Sequence, residues 1–97
     1  MAEVAITHER TPAGGRYVAK LAGHRGEAVL TYSRPDPSRA DAQHTFTPPS
    51  MRGQRVATAL VERIVADARQ EGFRIEPTCP FVADLFDRHP EWADLRA

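Results

Sequence analysis

Two stretches in the second half of the chain combine residue types that could do chemistry. Cys79 is the sole cysteine and it immediately precedes Pro80, a residue suited to the first position of a helix. A thiol at a helix N-terminus has its thiolate favoured by the dipole and by unpaired N–H groups, which makes Cys79 a candidate nucleophile. A free cysteine can equally be a small buried apolar side chain. The second stretch is Arg52-Gly53-Gln54-Arg55, between the prolines Pro48 and Pro49 and a run of helical apolar spacing that begins at Val56. A helix start attracts anions through its free N–H groups. Gly53 would let backbone approach a ligand, Ala57 and Thr58 keep the first turn uncluttered, and Arg52 and Arg55 could bond phosphate oxygens. On spacing alone, a plain helix start with solvated arginines explains the same residues equally well.

Several other chemistries are absent from the pattern. There is no Walker loop and no three-glycine dinucleotide fingerprint. Cys79 and His89 lack the paired spacing of a zinc site, and four scattered histidines beside one cysteine predict no metal.

The elements that must position these residues follow from periodicity. Glu3 to Glu9 alternates as a half-buried strand, Thr11 to Gly15 marks a turn, and Arg16–Gly23 and Gly26–Arg34 read as two more strands. Ser33 to Ala42, rich in Pro, Asp and Arg, reads as a connection, followed by a short fourth strand over Ala42–Thr47 that Pro48 and Pro49 must end. Val56, Leu60, Ile64 and Ala68 recur every four residues, predicting a long helix stopped at Gly72. Phe73–Pro77 reads as a fifth strand. A shorter helix should run from Pro80 to before Pro90, with Cys79 at or beside its N-cap. Strand, long helix and strand in succession require a parallel pair inside an otherwise antiparallel sheet, so the fold class is α+β with a mixed sheet of about five strands.

Composition narrows the class of function. With 97 residues the chain is expected to form a single domain spanning 1–97. Thirteen basic and thirteen acidic residues cancel, which argues against nucleic acid as a partner. No run of apolar residues approaches membrane-spanning length, the first ten residues lack a signal-like apolar run, and one cysteine cannot pair within the chain. A reducing, cytoplasmic setting without membrane attachment is the expectation; the oligomeric state stays open.

Five features taken together carry a resemblance: His44-Thr45-Phe46, Pro48-Pro49 followed by Arg52-Gly53-Gln54, the long helix, Pro77-Thr78-Cys79-Pro80-Phe81-Val82, and His89-Pro90-Glu91-Trp92. Over His44 to Leu95 the chain resembles the short, single-domain branch of the GNAT superfamily, the acetyl-CoA-dependent N-acetyltransferases. The resemblance implies a sheet splayed between strands four and five, with acetyl-CoA wedged in the gap as co-substrate. It implies a pyrophosphate loop of the form Arg/Gln-x-x-Gly-x-Gly/Ala, here Arg52, Gly53, Gln54, Arg55, Val56 and Ala57. Arg55 stands where the family has glycine; since the apolar pattern starts at Val56, a helical Arg55 is expected, its N–H still facing the pyrophosphate. The strand at Thr45 and Phe46 is implied to meet the thioester carbonyl.

The implied activity is transfer of the acetyl group to an amine, and a chain this short leaves an open acceptor side able to take a peptide or protein amine. Such an amine, with a pKa near 10.4 if a lysine, must lose a proton, and His44 is the nearest acceptor in sequence. Cys79, at the end of the fifth strand where the family's acyl group should lie, is a candidate to accept that group covalently or to line its pocket. The alternative function is a module that binds acetyl-CoA or CoA without turnover.

Overall fold

The computed structural model describes residues 4–97. Four antiparallel strands follow one another, β1 (Val4–Thr11), β2 (Gly14–Leu21), β3 (Ala28–Asp36) and β4 (Arg39–Phe46). The long helix α1 (Val56–Glu71) then returns the chain to β5 (Arg74–Pro77), which pairs parallel to β4. A second helix, α2 (Pro80–Arg88), and a 3₁₀ segment over Pro90–Leu95 complete the chain. Strand order in the sheet is the order in sequence. This is the mixed, mostly antiparallel α+β sheet that periodicity predicts, with the parallel seam where the crossover requires it. Glu3, the expected start of the first strand, lies outside the described residues.

β2 lies two residues earlier and β3 two residues later than expected at both ends, and only Pro12 and Ala13 turn between β1 and β2; the largest difference is at the β3–β4 hairpin. Ser33 to Ala42 is not a connection: β3 continues to Asp36, β4 begins at Arg39, and only Pro37 and Ser38 turn between them. The Asp36 carboxylate accepts hydrogen bonds from the Ser38 N–H at 2.8 Å and from the Ser38 hydroxyl, which closes the turn. Pro35 is tolerated because the ladder is irregular between Ser33 and Asp36, so its missing N–H costs no rung. The fourth strand therefore starts three residues earlier than expected and ends at Phe46, one residue sooner. A second irregularity lies further along: Thr31 pairs with His44 but Tyr32 pairs with Ala42, leaving Gln43 as an extra residue in β4.

One face of the sheet is covered. Val56, Leu60, Val61, Ile64, Val65 and Ala68 of α1 and Val82, Leu85 and Phe86 of α2 are buried in one cluster with Tyr17, Leu30, Ala40 and Ile75 of the strands. Gly72 ends α1 in the left-handed region (φ 82°), its N–H bonded to the Ala68 carbonyl at 2.9 Å. Trp92 packs edge-on to Phe86 and stacks on His89, which ties the 3₁₀ segment to α2. The Ala97 N–H bonds the Ile75 carbonyl at 2.8 Å, so the last residues shield the outer edge of β5.

Candidate active site

The parallel seam is short, and its end is the centre of the candidate site. Pairing between β4 and β5 runs from Arg39 with Arg74 to Ala42 with Pro77. One further bond, from the Cys79 N–H to the Ala42 carbonyl at 2.9 Å, closes the seam. Beyond it β5 turns away into α2 while β4 continues to Phe46. In an antiparallel ladder every second residue directs its backbone groups away from the partner, so this side of β4 offers free N–H and C=O groups to the gap. The Gln43 bulge, at the point of parting, bends the strand there.

Register sorts the side chains of this segment between two faces. Thr45 pairs with buried Leu30 and shares its covered face, whereas His44 and Phe46 pair with Thr31 and Val29 on the open face. Phe46 is 51% exposed. The structure thus separates His44 and Phe46 from Thr45 by the thickness of the strand.

Thr45 faces Cys79. Its hydroxyl lies 3.6 Å from the Cys79 sulfur, and Cys79 caps α2 with extended geometry. Burial pushes the Cys79 thiol up, but the Thr45 hydroxyl and the backbone N–H groups of Val82, Phe81 and Thr45 pull it down by more, leaving it below an ordinary thiol. The sulfur is nearly enclosed, since Cys79 is 6% exposed. Donors from both sides of the gap therefore converge on one polarizable atom.

The loop before α1 forms the other wall. Pro49–Met51 makes a single 3₁₀ turn whose Met51 side chain is fully buried, pinning the loop to the core. Within the loop the Arg52 N–H bonds Pro49 and the Gln54 N–H bonds Met51, each at 3.3 Å. Gly53 follows with φ 82°, where a side chain would meet no neighbour but would force an L-residue into left-handed backbone. Arg55 is the helix N-cap and is also left-handed (φ 60°, ψ 25°), which corrects the expectation that it is helical. The chain must reverse between the buried Met51 and the buried Val56, and a left-handed residue makes that reversal in one step. Arg55 thus keeps the conformation that glycine would favour. No side chain caps α1, so the N–H groups of Val56, Ala57 and Thr58 have neither an intrahelical partner nor a cap. A left-handed residue leading into a helix gathers such groups into an anion-binding concavity.

A cavity of about 430 Å³ joins these walls, lined by Thr45, Thr47, Met51, Arg52, Gly53, Arg55, Val56, Ala57, Thr58 and Phe81. Of the residues expected at the site, Thr45, Arg52, Gly53, Arg55, Val56 and Ala57 line it, and Cys79 touches it through Thr45. Gln54 does not line it, its N–H being spent inside the turn, and His44 and Phe46 face away. Met51 escaped the sequence reading because an apolar residue two places after a proline pair has no periodicity to betray it. Among the described residues no group of three or more His, Cys, Asp or Glu is placed to hold a metal ion.

The sequence profile of a family described as GCN5-related N-acetyl-transferase matches residues 16–95, most of the chain. No curated protein matches it.

Proposed function

As the chain belongs to the GCN5-related N-acetyltransferase family, we propose that it transfers the acetyl group of acetyl-CoA to an amine, as a single acetyl-CoA-binding domain. The observation that carries this reading is the parting of β4 from β5 at Ala42 and Cys79 beside the uncapped start of α1. Free N–H groups of Val56, Ala57 and Thr58, with Arg52 and Arg55, hold the pyrophosphate. Gly53 lets the backbone come close. The free edge of β4 at Thr45 meets the acetyl end, where a backbone N–H polarises the carbonyl. The reaction joins the amine nitrogen to the carbonyl carbon, breaks the carbon–sulfur bond and releases CoA as the thiol.

His44 serves an amine arriving from the open face of the sheet, accepting the proton that leaves its nitrogen. Cys79 offers a second route, favoured by the donors gathered on its sulfur: its thiolate takes the acetyl group, CoA leaves, and the amine then attacks the acetylated cysteine. Among the described residues no element covers the open face to select a small acceptor, which favours a peptide or protein amine. A free thiol in this position suits the reducing cytoplasm.

The test is thiol release from acetyl-CoA in the presence of polyamines, amino acids and lysine peptides. Turnover with at least one amine is expected, falling with His44→Gln. Silence across the panel while acetyl-CoA still binds would favour the alternative, a non-catalytic acetyl-CoA or CoA-binding module. Gly53→Val should weaken acetyl-CoA about tenfold or more by forcing a β-branched residue into left-handed backbone. Intact mass after incubation with acetyl-CoA reads the Cys79 route directly: an added acetyl group absent from Cys79→Ala supports it, and its absence from a protein that binds acetyl-CoA removes it.

A further inference from the structure

A second cavity, of about 450 Å³, lies between the Pro12–Ala13 turn and the tip of the β3–β4 hairpin and shares no lining residue with the first. Its lining includes Arg10, Tyr32, Arg34 and Asp36. Tyr32 and Arg34 bring donors to it that no protein group takes. The Arg10 Nε–H donates to His8 Nδ1 at 3.4 Å, which makes Nδ1 an acceptor and places the neutral imidazole's proton on Nε2. That Nε2–H then donates to the Tyr32 hydroxyl oxygen at 2.5 Å. The hydroxyl's own proton is left without an acceptor, although Tyr32 is only 7% exposed and lines the cavity. Arg34 supplies further donors. Its Nη2 bonds the Pro37 carbonyl at 2.8 Å and its guanidinium lies over the Phe73 ring, while Nη1 makes no hydrogen bond among the described residues and Arg34 lines the cavity.

The charges around these donors are arranged to leave them available. The Asp36 carboxylate is turned into its own hairpin by Ser38, and Glu71 holds Arg10 Nη2 at 2.8 Å. Burial pushes the Tyr32 phenol up while the charges of Arg10 and Arg34 both pull it down, so both guanidiniums act on the same hydroxyl. A phosphate monoester brings close to two negative charges to the two guanidiniums, where a carboxylate brings one, and its three terminal oxygens can take donors from Tyr32, Arg34 and Arg10. The volume exceeds that of a phosphate group alone.

We propose that this cavity binds a small phosphate monoester, its phosphate taking the free Tyr32 O–H and the outer N–H donors of the Arg34 guanidinium, beside the Arg10 guanidinium. The site is separate from the acetyl-CoA gap and does not depend on the protein's being an acetyltransferase.

Amide chemical shifts of ¹⁵N-labelled protein, titrated with glycerol 3-phosphate and with inorganic phosphate at constant ionic strength, test it. Saturable shifts are expected at Thr11, Gly14, Arg34 and Asp36, as a set distinct from any at Gly53 to Ala57. Arg34→Gln should weaken the first set about tenfold or more and Tyr32→Phe several-fold, neither altering the second. Tyr32→Phe keeps the ring and its packing, so lost binding there reports the hydroxyl and not a failure to fold. Shifts confined to the α1 loop, or shifts at Arg34 and Gly14 that survive both substitutions, would overturn the site. Glycerol 3-phosphate binding no more tightly than inorganic phosphate would overturn its assignment to a monoester.

Discussion

The two ends of α1 solve opposite problems. At its start, backbone donors are left open: Val56, Ala57 and Thr58 have no cap among the described residues, β4 has no partner on its β5 side past Ala42, and the loop is held by one buried apolar side chain, Met51. Toward its other end, side chains close on one another. The Tyr17 hydroxyl donates to Asp67 at 2.7 Å, Arg63 reaches the same carboxylate at 3.3 Å, and His8 stacks on Tyr17 with ring centres 4.0 Å apart. Burial, with Asp67 next, pushes the Tyr17 phenol far up, so it stays a hydroxyl donor. One end spends its polar groups on stability and the other reserves them for a ligand. Anchoring by an apolar plug leaves polar groups free; anchoring by a polar network consumes them.

Substitutions can break that contrast. Met51→Ala should have the largest effect, about 2–5 kcal/mol of stability from the lost burial and the cavity left behind, and should weaken acetyl-CoA as well because the loop loses its anchor. Chemical denaturation and calorimetric titration measure the two. Asp67→Ala should cost about 1–3 kcal/mol by leaving the buried Tyr17 hydroxyl without its acceptor, with acetyl-CoA affinity unchanged. If Asp67→Ala weakens the ligand as much as Met51→Ala, the ends are not separate.

The pH dependence of stability sharpens the same point. Burial holds the His8 pKa below its usual value, with Arg10 and Arg63 adding to the effect and Asp67 and Glu71 opposing it. A folded-state pKa below the unfolded one means the unfolded chain binds the proton more readily. Stability from His8 is therefore complete above about pH 6.5 and is lost as pH falls below it. Denaturant midpoints between pH 7.5 and 5 should decline in the native protein and decline less in His8→Gln. Smallest of all, Arg55→Gly should raise stability by up to about 1 kcal/mol by relieving the left-handed arginine, and at the same time weaken acetyl-CoA several-fold through the lost charge. A gain in both would show that the guanidinium contributes nothing.

Much of this was legible in the residues. The four-residue recurrence from Val56 to Ala68, the glycine at 72 and Pro80 after Cys79 locate both helices and the crossover, because burial of one helix face is a local and periodic signal. The loop's position was readable for the same reason. What stayed hidden was set by contacts distant in sequence. Prolines 35 and 37 imitate a linker until Asp36 is seen closing a turn across them. The bulge at Gln43 decides that Thr45, and not His44, shares a face with Cys79, and nothing in the strand's own residues announces it. Arg55 reads as helical from its neighbour's periodicity, whereas the reversal between Met51 and Val56 demands a left-handed residue.

The single bond from Cys79 to Ala42 has a further consequence, in the language of local opening. A parallel seam of four residue pairs that ends in one rung can fray from that rung without disturbing the four-stranded meander, whose strands are joined by their own hairpins. Amide protection should fall along the seam from the Arg39 end toward the gap. The cleft's width then becomes a property the molecule can vary by the cost of one hydrogen bond, while Cys79, whose N–H makes that bond, rides on the part that moves.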